Sequence, residues 1–196
     1  HDPLDALLLA DRVVVLESGR VVEEGRSAHV LAHPRSAFAA VAQVEAVLGP
    51  IDVLVNSAGG AKRAVPADLN AQAWRSAMDA KYFSYVHAMD AALQSMVARR
   101  TGSIVNIIGT GGKVASAIHL PGGAANAALM LVSAGLASAW GGHGIRVNAI
   151  NPGATYTDRV KNSLETESRL TGKTEEELLK ANEARVAAAQ ARLRLH

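Results

Sequence analysis

Residues 144–157 read GIRVNAINPGATYT: an alternating strand, IRVNAI, halted at Asn151-Pro152-Gly153 and followed by Thr155 and Thr157. Proline cannot donate to a sheet ladder and glycine admits conformations closed to other residues, so the strand must end there. The small hydroxylated residues beyond the turn let backbone and hydroxyl groups approach a ligand closely. Two similar strand-to-loop passages precede it, IDVLVNSAGG at 51–60 and GSIVNIIGTGG at 102–112. IDVLV and SIVNII are nearly continuous apolar runs, the pattern of strands with both sheet faces covered. Helical patterns fill about 70–99 and 123–141. Strands alternating with helices of that length predict right-handed βαβ units on a parallel sheet.

The 196 residues suffice for one domain with a sizeable core, and aromatics at 4% leave that core to Ala, Val, Leu and Ile. Cys is absent, which excludes disulfides, thiolate catalysis and Cys-based zinc sites. A net charge of +2, with basic residues scattered among acids, argues against a nucleic-acid partner. No apolar run approaches the ~20 residues that span a bilayer, and no signal-peptide pattern opens the chain. The expectation is a soluble, cytoplasmic protein without membrane insertion.

Upstream, residues 1–33 are of another character. Asp2-Pro3 before LDALLLA predicts a short helix, and RVVVLE and RVVEEG flank Ser18-Gly19 as the arms of a β-hairpin over about 12–25. A turn or two of helix is expected at 27–32, and a further Ala-rich helix at 34–47. The 1–33 segment resembles the end of the nucleotide-binding domain of ATP-binding-cassette transporters, with His1 at the switch histidine. That family's phosphate loop, signature motif and Mg-binding carboxylate have no counterpart here. Gly112-Lys113 does not make a phosphate loop, because the required glycine and hydroxyl positions hold Ile107 and Val114. ATPase activity is not expected, and a ligand-free structural hairpin is the plainer reading.

From about residue 41 to 160 the three strand-loop motifs, in order, resemble the short-chain dehydrogenase/reductase family. The resemblance implies an α/β fold: a partial Rossmann-like three-layer parallel sheet, here with an N-terminal β-hairpin. It divides the chain into an ATPase-like helix and hairpin at 1–40 and a truncated dehydrogenase-like domain at 41–196. It implies a NAD or NADP cofactor, a small-molecule substrate and a homodimer formed through the helices at 70–99 and 123–141. Asn56-Ser57-Ala58-Gly59 matches the family's N-N-A-G motif, and Pro152, Gly153, Thr155 and Thr157 match its P-G-x-x-x-T turn. Carried over, Asn56, Ala58, Gly59, Pro152, Gly153, Thr155 and Thr157 are the cofactor-binding residues. The pyrophosphate turn T-G-x-x-x-G-x-G occurs nowhere in the sequence.

The family's reactive groups are all exchanged. Gly109 stands for its Ser, Gly122 for its Tyr, Asn126 for its Lys, and Lys81, seven residues after Trp74, for its Asn. The site therefore lacks a proton donor, a pKa-tuning cation and an oxygen-binding hydroxyl in their usual places. Thr110 and His119, on the loop bordering the same crevice, are the remaining catalytic candidates, His119 because imidazole titrates near neutrality. No metal site is expected. His29 and His33 are spaced like a pair of ligands, without a third. Trp74, Tyr82, Tyr85 and Met89 are expected to pack. Thr174 and Glu177 form a capping box for a helix over 175–193. Three functions are compatible with these residues: a degenerate NAD(P)-linked oxidoreductase scaffold, a non-catalytic dimerising interaction protein, and a fused or truncated product without selected activity.

Overall fold

The computed structural model describes residues 11–17, 20–32, 36–59, 62–153, 158–181 and 184. His1, the helix after Pro3, the Ser18-Gly19 turn, His33, Thr155, Thr157 and the end of the last helix lie outside the described residues. The fold is α/β. Two compact units make it up: His1–Ser57 with Phe83–Asn106 and Val132–Ala149, and Ala58–Tyr82 with Ile107–Leu131 and Ile150–His196.

In the first unit β1 (Arg12–Glu17) and β2 (Arg20–Arg26) pair antiparallel, with a register shift between Val15 and Leu16. Helix α1 (Ser27–Ala32) packs on this hairpin, and α2 (Ala37–Leu48) packs on α1. The second helix begins where a buried carboxylate holds it. Glu23 accepts from the backbone N–H of Ser36 at 3.1 Å and from its Oγ at 2.9 Å. The same Oγ accepts from Ala39 N at 3.1 Å and so caps α2.

Strand β3 (Val53–Asn56) runs parallel to β4 (Gly102–Ile107), with Val53 beside Ser103 and Asn56 beside Asn106. With β5 (Ile145–Ile150) they form a sheet in the order β3-β4-β5. Helix α4 (Ser84–Arg99) packs against α2 and β3. Its Tyr85, Met89 and Met96 are buried, as are Ile104 of β4 and Ile145 of β5. The Arg99 guanidinium donates to Ile51 O at 2.7 Å and to Asp52 Oδ1 at 3.2 Å, tying the helix end to the start of β3. The expectation of a strand covered on both faces fails for β3. Val53 and Val55 share one face and are 57% and 58% exposed, because no described element packs over them.

The second unit contains α3 (Ala71–Ala77), capped by Asn70 Oδ1 accepting from Ala73 N at 2.9 Å. The helix expected as one piece over 70–99 widens into a π-turn at Met78–Phe83 before α4. Helix α5 (Leu120–Trp140) follows a 3₁₀ turn at Ala117–His119 and contributes residues to both units. The continuous helical run Ala117–His143 is 27 residues long, enough in length and composition to cross a membrane. The helix is longer than any apolar run in the sequence, because Pro121, Asn126, Ser133 and Ser138 interrupt the apolar pattern without breaking the helix. Its buried positions include Asn126 and Ser133 beside Ala125 and Leu129, polar groups that suit a protein core. Helix α6 (Asp158–Thr171) precedes a helical stretch at 175–181. Glu177 Oε2 accepts from Thr174 N at 2.9 Å, and Thr174 Oγ1 accepts from Glu177 N at 3.3 Å, the reciprocal capping box.

Candidate active site

Strands β4 and β5 leave the sheet side by side in the second unit. Ile108 N donates to Ile150 O at 2.8 Å and Thr110 N to Pro152 O at 3.2 Å, so Asn151 lies opposite Gly109. Gly109 has φ 120° and ψ 149°, a backbone state that side chains with a Cβ rarely adopt. The chain then tightens into a 3₁₀ turn at Thr110–Gly112, closed by Lys113 N donating to Thr110 O at 2.9 Å. Thr110 and Lys113 are exposed on this loop.

The His119 imidazole fills the space over two glycines. A Cβ at position 122 would collide with its Cε1 and lie 2.8 Å from both ring nitrogens. A Cβ on Gly111 would lie 2.9 Å from its Cδ2. The space beside Gly122 is thus filled by the ring of a residue three positions earlier. Helix α5 presses equally close: a Cβ on Gly112 would be 2.6 Å from Ala127 N, and one on Gly123 would be 2.9 Å from Gly111 O.

One side chain binds the peptide that joins Ile108 to Gly109, and a second stands beside Gly109. Lys81, carried on the π-turn, donates from Nζ to Ile108 O at 2.9 Å and is partly buried. Asn126, 5% exposed, places Nδ2 3.6 Å from where a Cβ on Gly109 would stand. The Oδ1 atoms of Asn126 and Asn151 are buried and have no hydrogen-bond partner among the described residues.

Lys81, Gly109, Thr110, His119, Gly122 and Asn126 therefore lie in one unit, and the contacts above gather Lys81, Gly109, His119, Gly122 and Asn126 about the 108–112 loop. Ala58 and Gly59 are in the same unit and exposed, as are Pro152 and Gly153. Asn56 belongs to the first unit, where its Nδ2 donates to Asn106 Oδ1 at 2.9 Å. Among the described residues no three His, Asp or Glu side chains converge as a metal site. Sequence reasoning misses two features. The π-turn has no composition signal. Asn151 reads in the sequence only as the opening of a turn, although an Asn at a strand end carries an amide to be satisfied.

The model of the family described as short chain dehydrogenase matches residues 27–168, and the chain belongs to that family. Gluconate 5-dehydrogenase of Gluconobacter oxydans (strain 621H) is 31% identical over 121 residues, covering 62% of this chain and 47% of that protein. D-threitol dehydrogenase of Mycolicibacterium smegmatis (strain ATCC 700084 / mc(2)155) is 35% identical over 128 residues, covering 65% and 49%. Among solved structures, a single-substitution variant of actinorhodin polyketide ketoreductase with NADPH matches at a TM-score of 0.70 and 31% identity, over 76% of this chain and 58% of that one. Gluconate 5-dehydrogenase of Burkholderia cenocepacia J2315, in complex with NADP and tartrate, matches at 0.62 and 26% identity, over 78% and 64%. The chain spans about half the length of the curated relatives it matches.

Proposed function

We propose that this chain is a nicotinamide-dinucleotide-binding oxidoreductase scaffold whose ordinary acid–base groups have been exchanged, leaving weak or no conventional activity. One observation carries this reading. The exchanged positions Lys81, Gly109, Gly122 and Asn126 still frame one loop, so the site keeps its place while its usual chemistry is gone.

The relatives solved with NADP and NADPH support the cofactor class. Asn56, Ala58, Gly59, Pro152, Gly153, Thr155 and Thr157 would hold it. The residues fit its nicotinamide end, since the buried Oδ1 atoms of Asn126 and Asn151 seek donors such as ribose hydroxyls or a carboxamide. They do not fit its pyrophosphate end, for which the sequence has no glycine-rich turn. When bound, the dinucleotide supplies or takes up a hydride. The chain's own part is to hold a proton and a developing negative charge. Gly122 can do neither, and losing a general acid typically lowers the rate by about 10²–10⁴-fold. Thr110 and His119 are the side chains left to carry a proton, His119 being placed directly over the emptied position.

In this reading the ATPase-like segment 1–40 is structural, residues 41–196 form the dehydrogenase-like domain, and the protein works as a cytoplasmic homodimer. A dimerising interaction protein without catalysis is the second reading, favoured by Leu131 on α5 being 76% exposed. Titration with NADH and NADPH, followed by nicotinamide fluorescence and melting temperature, tests between them. Binding tighter than about 100 µM, worth roughly 5.5 kcal/mol, supports the oxidoreductase scaffold. No binding by a cooperatively folded protein removes it.

A further inference from the structure

The hairpin of the first unit has two faces of different character. On the inner face Val13 packs against the cluster of Val30, Ala39 and Ala42, and the neighbouring Glu23 is buried at the cap of α2. Alternate residues turn the other way. The register there sets Arg12 directly opposite Arg26 and, next on the same face, Val14 opposite Glu24, and all four are exposed. Ser27 N donates to Asp11 O at 3.3 Å, which closes the end of the hairpin beside the two arginines.

Directly opposed residues of an antiparallel pair keep their Cβ atoms about 4.5–5.5 Å apart, and like charges so placed oppose each other. Neither arginine has an ion pair or a side-chain hydrogen bond among the described residues. Glu24, the acid on that face, is only a diagonal neighbour of Arg12, at a spacing of about 7–8 Å. An anion between the two guanidiniums turns their opposition into attraction. A carboxylate has two oxygens, which one planar fork satisfies, and the second cation is left over. A phosphate monoester has three terminal oxygens and a charge of about −1.5 to −2 near neutral pH, which matches two forks and two charges.

We propose that Arg12 and Arg26 form a clamp for a phosphate monoester group on the outer face of the hairpin. The clamp goes beyond the dinucleotide reading, in which this segment is structural. Neither depends on the other, since Lys81, Gly109, Gly122 and Asn126 all belong to the second unit. Both arginines are needed, because one alone answers no more than half of the dianion's charge and oxygens.

Calorimetric titration of the full chain with glycerol phosphate, inorganic phosphate and acetate, at constant ionic strength in chloride, tests the clamp. Both phosphates are expected to bind about tenfold tighter than acetate, the scale of one additional charge-assisted hydrogen bond. Arg12→Gln and Arg26→Gln should each weaken both phosphates about tenfold, whereas Arg26→Lys, which keeps the charge without the fork, retains part of the affinity. At low salt without phosphate, neither Gln variant should melt below the parent, because each relieves a like-charge opposition. Equal affinity for acetate and the phosphates overturns the proposal, and binding of inorganic phosphate alone overturns its assignment to an ester. Phosphate binding that survives both Gln substitutions unchanged also overturns it. So does a Gln variant that melts below the parent in chloride, since that arginine is then held by other groups of this chain.

Discussion

Asn56 donates from Nδ2 to Oδ1 of Asn106 at 2.9 Å, joining the ends of the parallel strands β3 and β4 through their side chains as well as their backbones. Asn106 is fully buried, and its own Nδ2 turns to Ser133 Oγ at 2.9 Å and to the Met89 sulfur at 3.2 Å. A residue that reads in the sequence as half of a nucleotide motif is, in the first unit, the start of a buried polar chain linking two strands and two helices.

Breaking that chain should be expensive. Asn106→Leu takes the acceptor from the buried Asn56 amide and one donor from the Ser133 hydroxyl, and a loss of about 2–3 kcal/mol is expected, most of it from the Asn56 amide. Ser133→Ala, which removes only one partner, should lose about 1 kcal/mol. Urea denaturation of both variants checks the ranking, and an Asn106→Leu protein as stable as the parent contradicts it.

The packing of His119 against Gly122 predicts a coupled pair. Gly122→Ala forces its new methyl into the imidazole and should destabilise by about 1–3 kcal/mol through overpacking. His119→Ala in the same chain should recover most of that loss. A thermal-unfolding double-mutant cycle measures the coupling, and simple additivity would show that the ring does not fill this space.

Putting back a serine at position 109 should not rebuild the ordinary site. With φ at 120°, Gly109 occupies a region where a Cβ is strained, and Gly109→Ser is expected to lose roughly 1–3 kcal/mol. A serine variant with unaltered stability and raised carbonyl reduction would mean that this backbone is readily reshaped.

Burial pushes the Tyr85 hydroxyl above its ordinary value of 10.0, because the charged form is poorly solvated there. The unfolded chain ionises near pH 10 while the folded one does not. Stability is therefore undiminished below pH 10 and falls as pH rises from there towards the native value. Tyr85→Phe should flatten this alkaline decline, as followed by unfolding free energies between pH 9 and about 11.5. An identical decline in the variant would assign it to other groups.

Much of this is legible in the sequence for reasons that can be named. IRVNAI predicts β5 residue for residue because Gly144 before it and Pro152 after it punctuate both ends. The hairpin arms and the capping box at Thr174 are equally local, each specified by a few neighbouring side chains. The positions that the resemblance assigns to the family's reactive groups are counted from the glycine after IVNII, and all of them lie in the unit where the loop is. What cannot be read is non-local. Nothing in MDAKYF announces the π-turn that the structure shows at Met78–Phe83. Nor does HLPGG reveal that the histidine ring leans over the first of the paired glycines, because the space a missing side chain leaves is visible only in three dimensions. The both-faces-covered reading of β3 fails for a related reason: an apolar strand states what it could bury against, not whether anything arrives.

The bare side of β3 has a practical corollary for handling the purified chain. The sheet order places β3 at an edge, and Val47 and Leu48 of α2, at 74% and 81% exposure, are apolar and open to solvent like Val53 and Val55. An edge strand with uncovered valines is a template for pairing with its own kind. Light scattering should therefore grow with protein concentration even where spectroscopy reports a folded molecule. A single lysine at position 55 would act as a gatekeeper, keeping the protein dispersed at the concentrations that calorimetry and crystallisation demand.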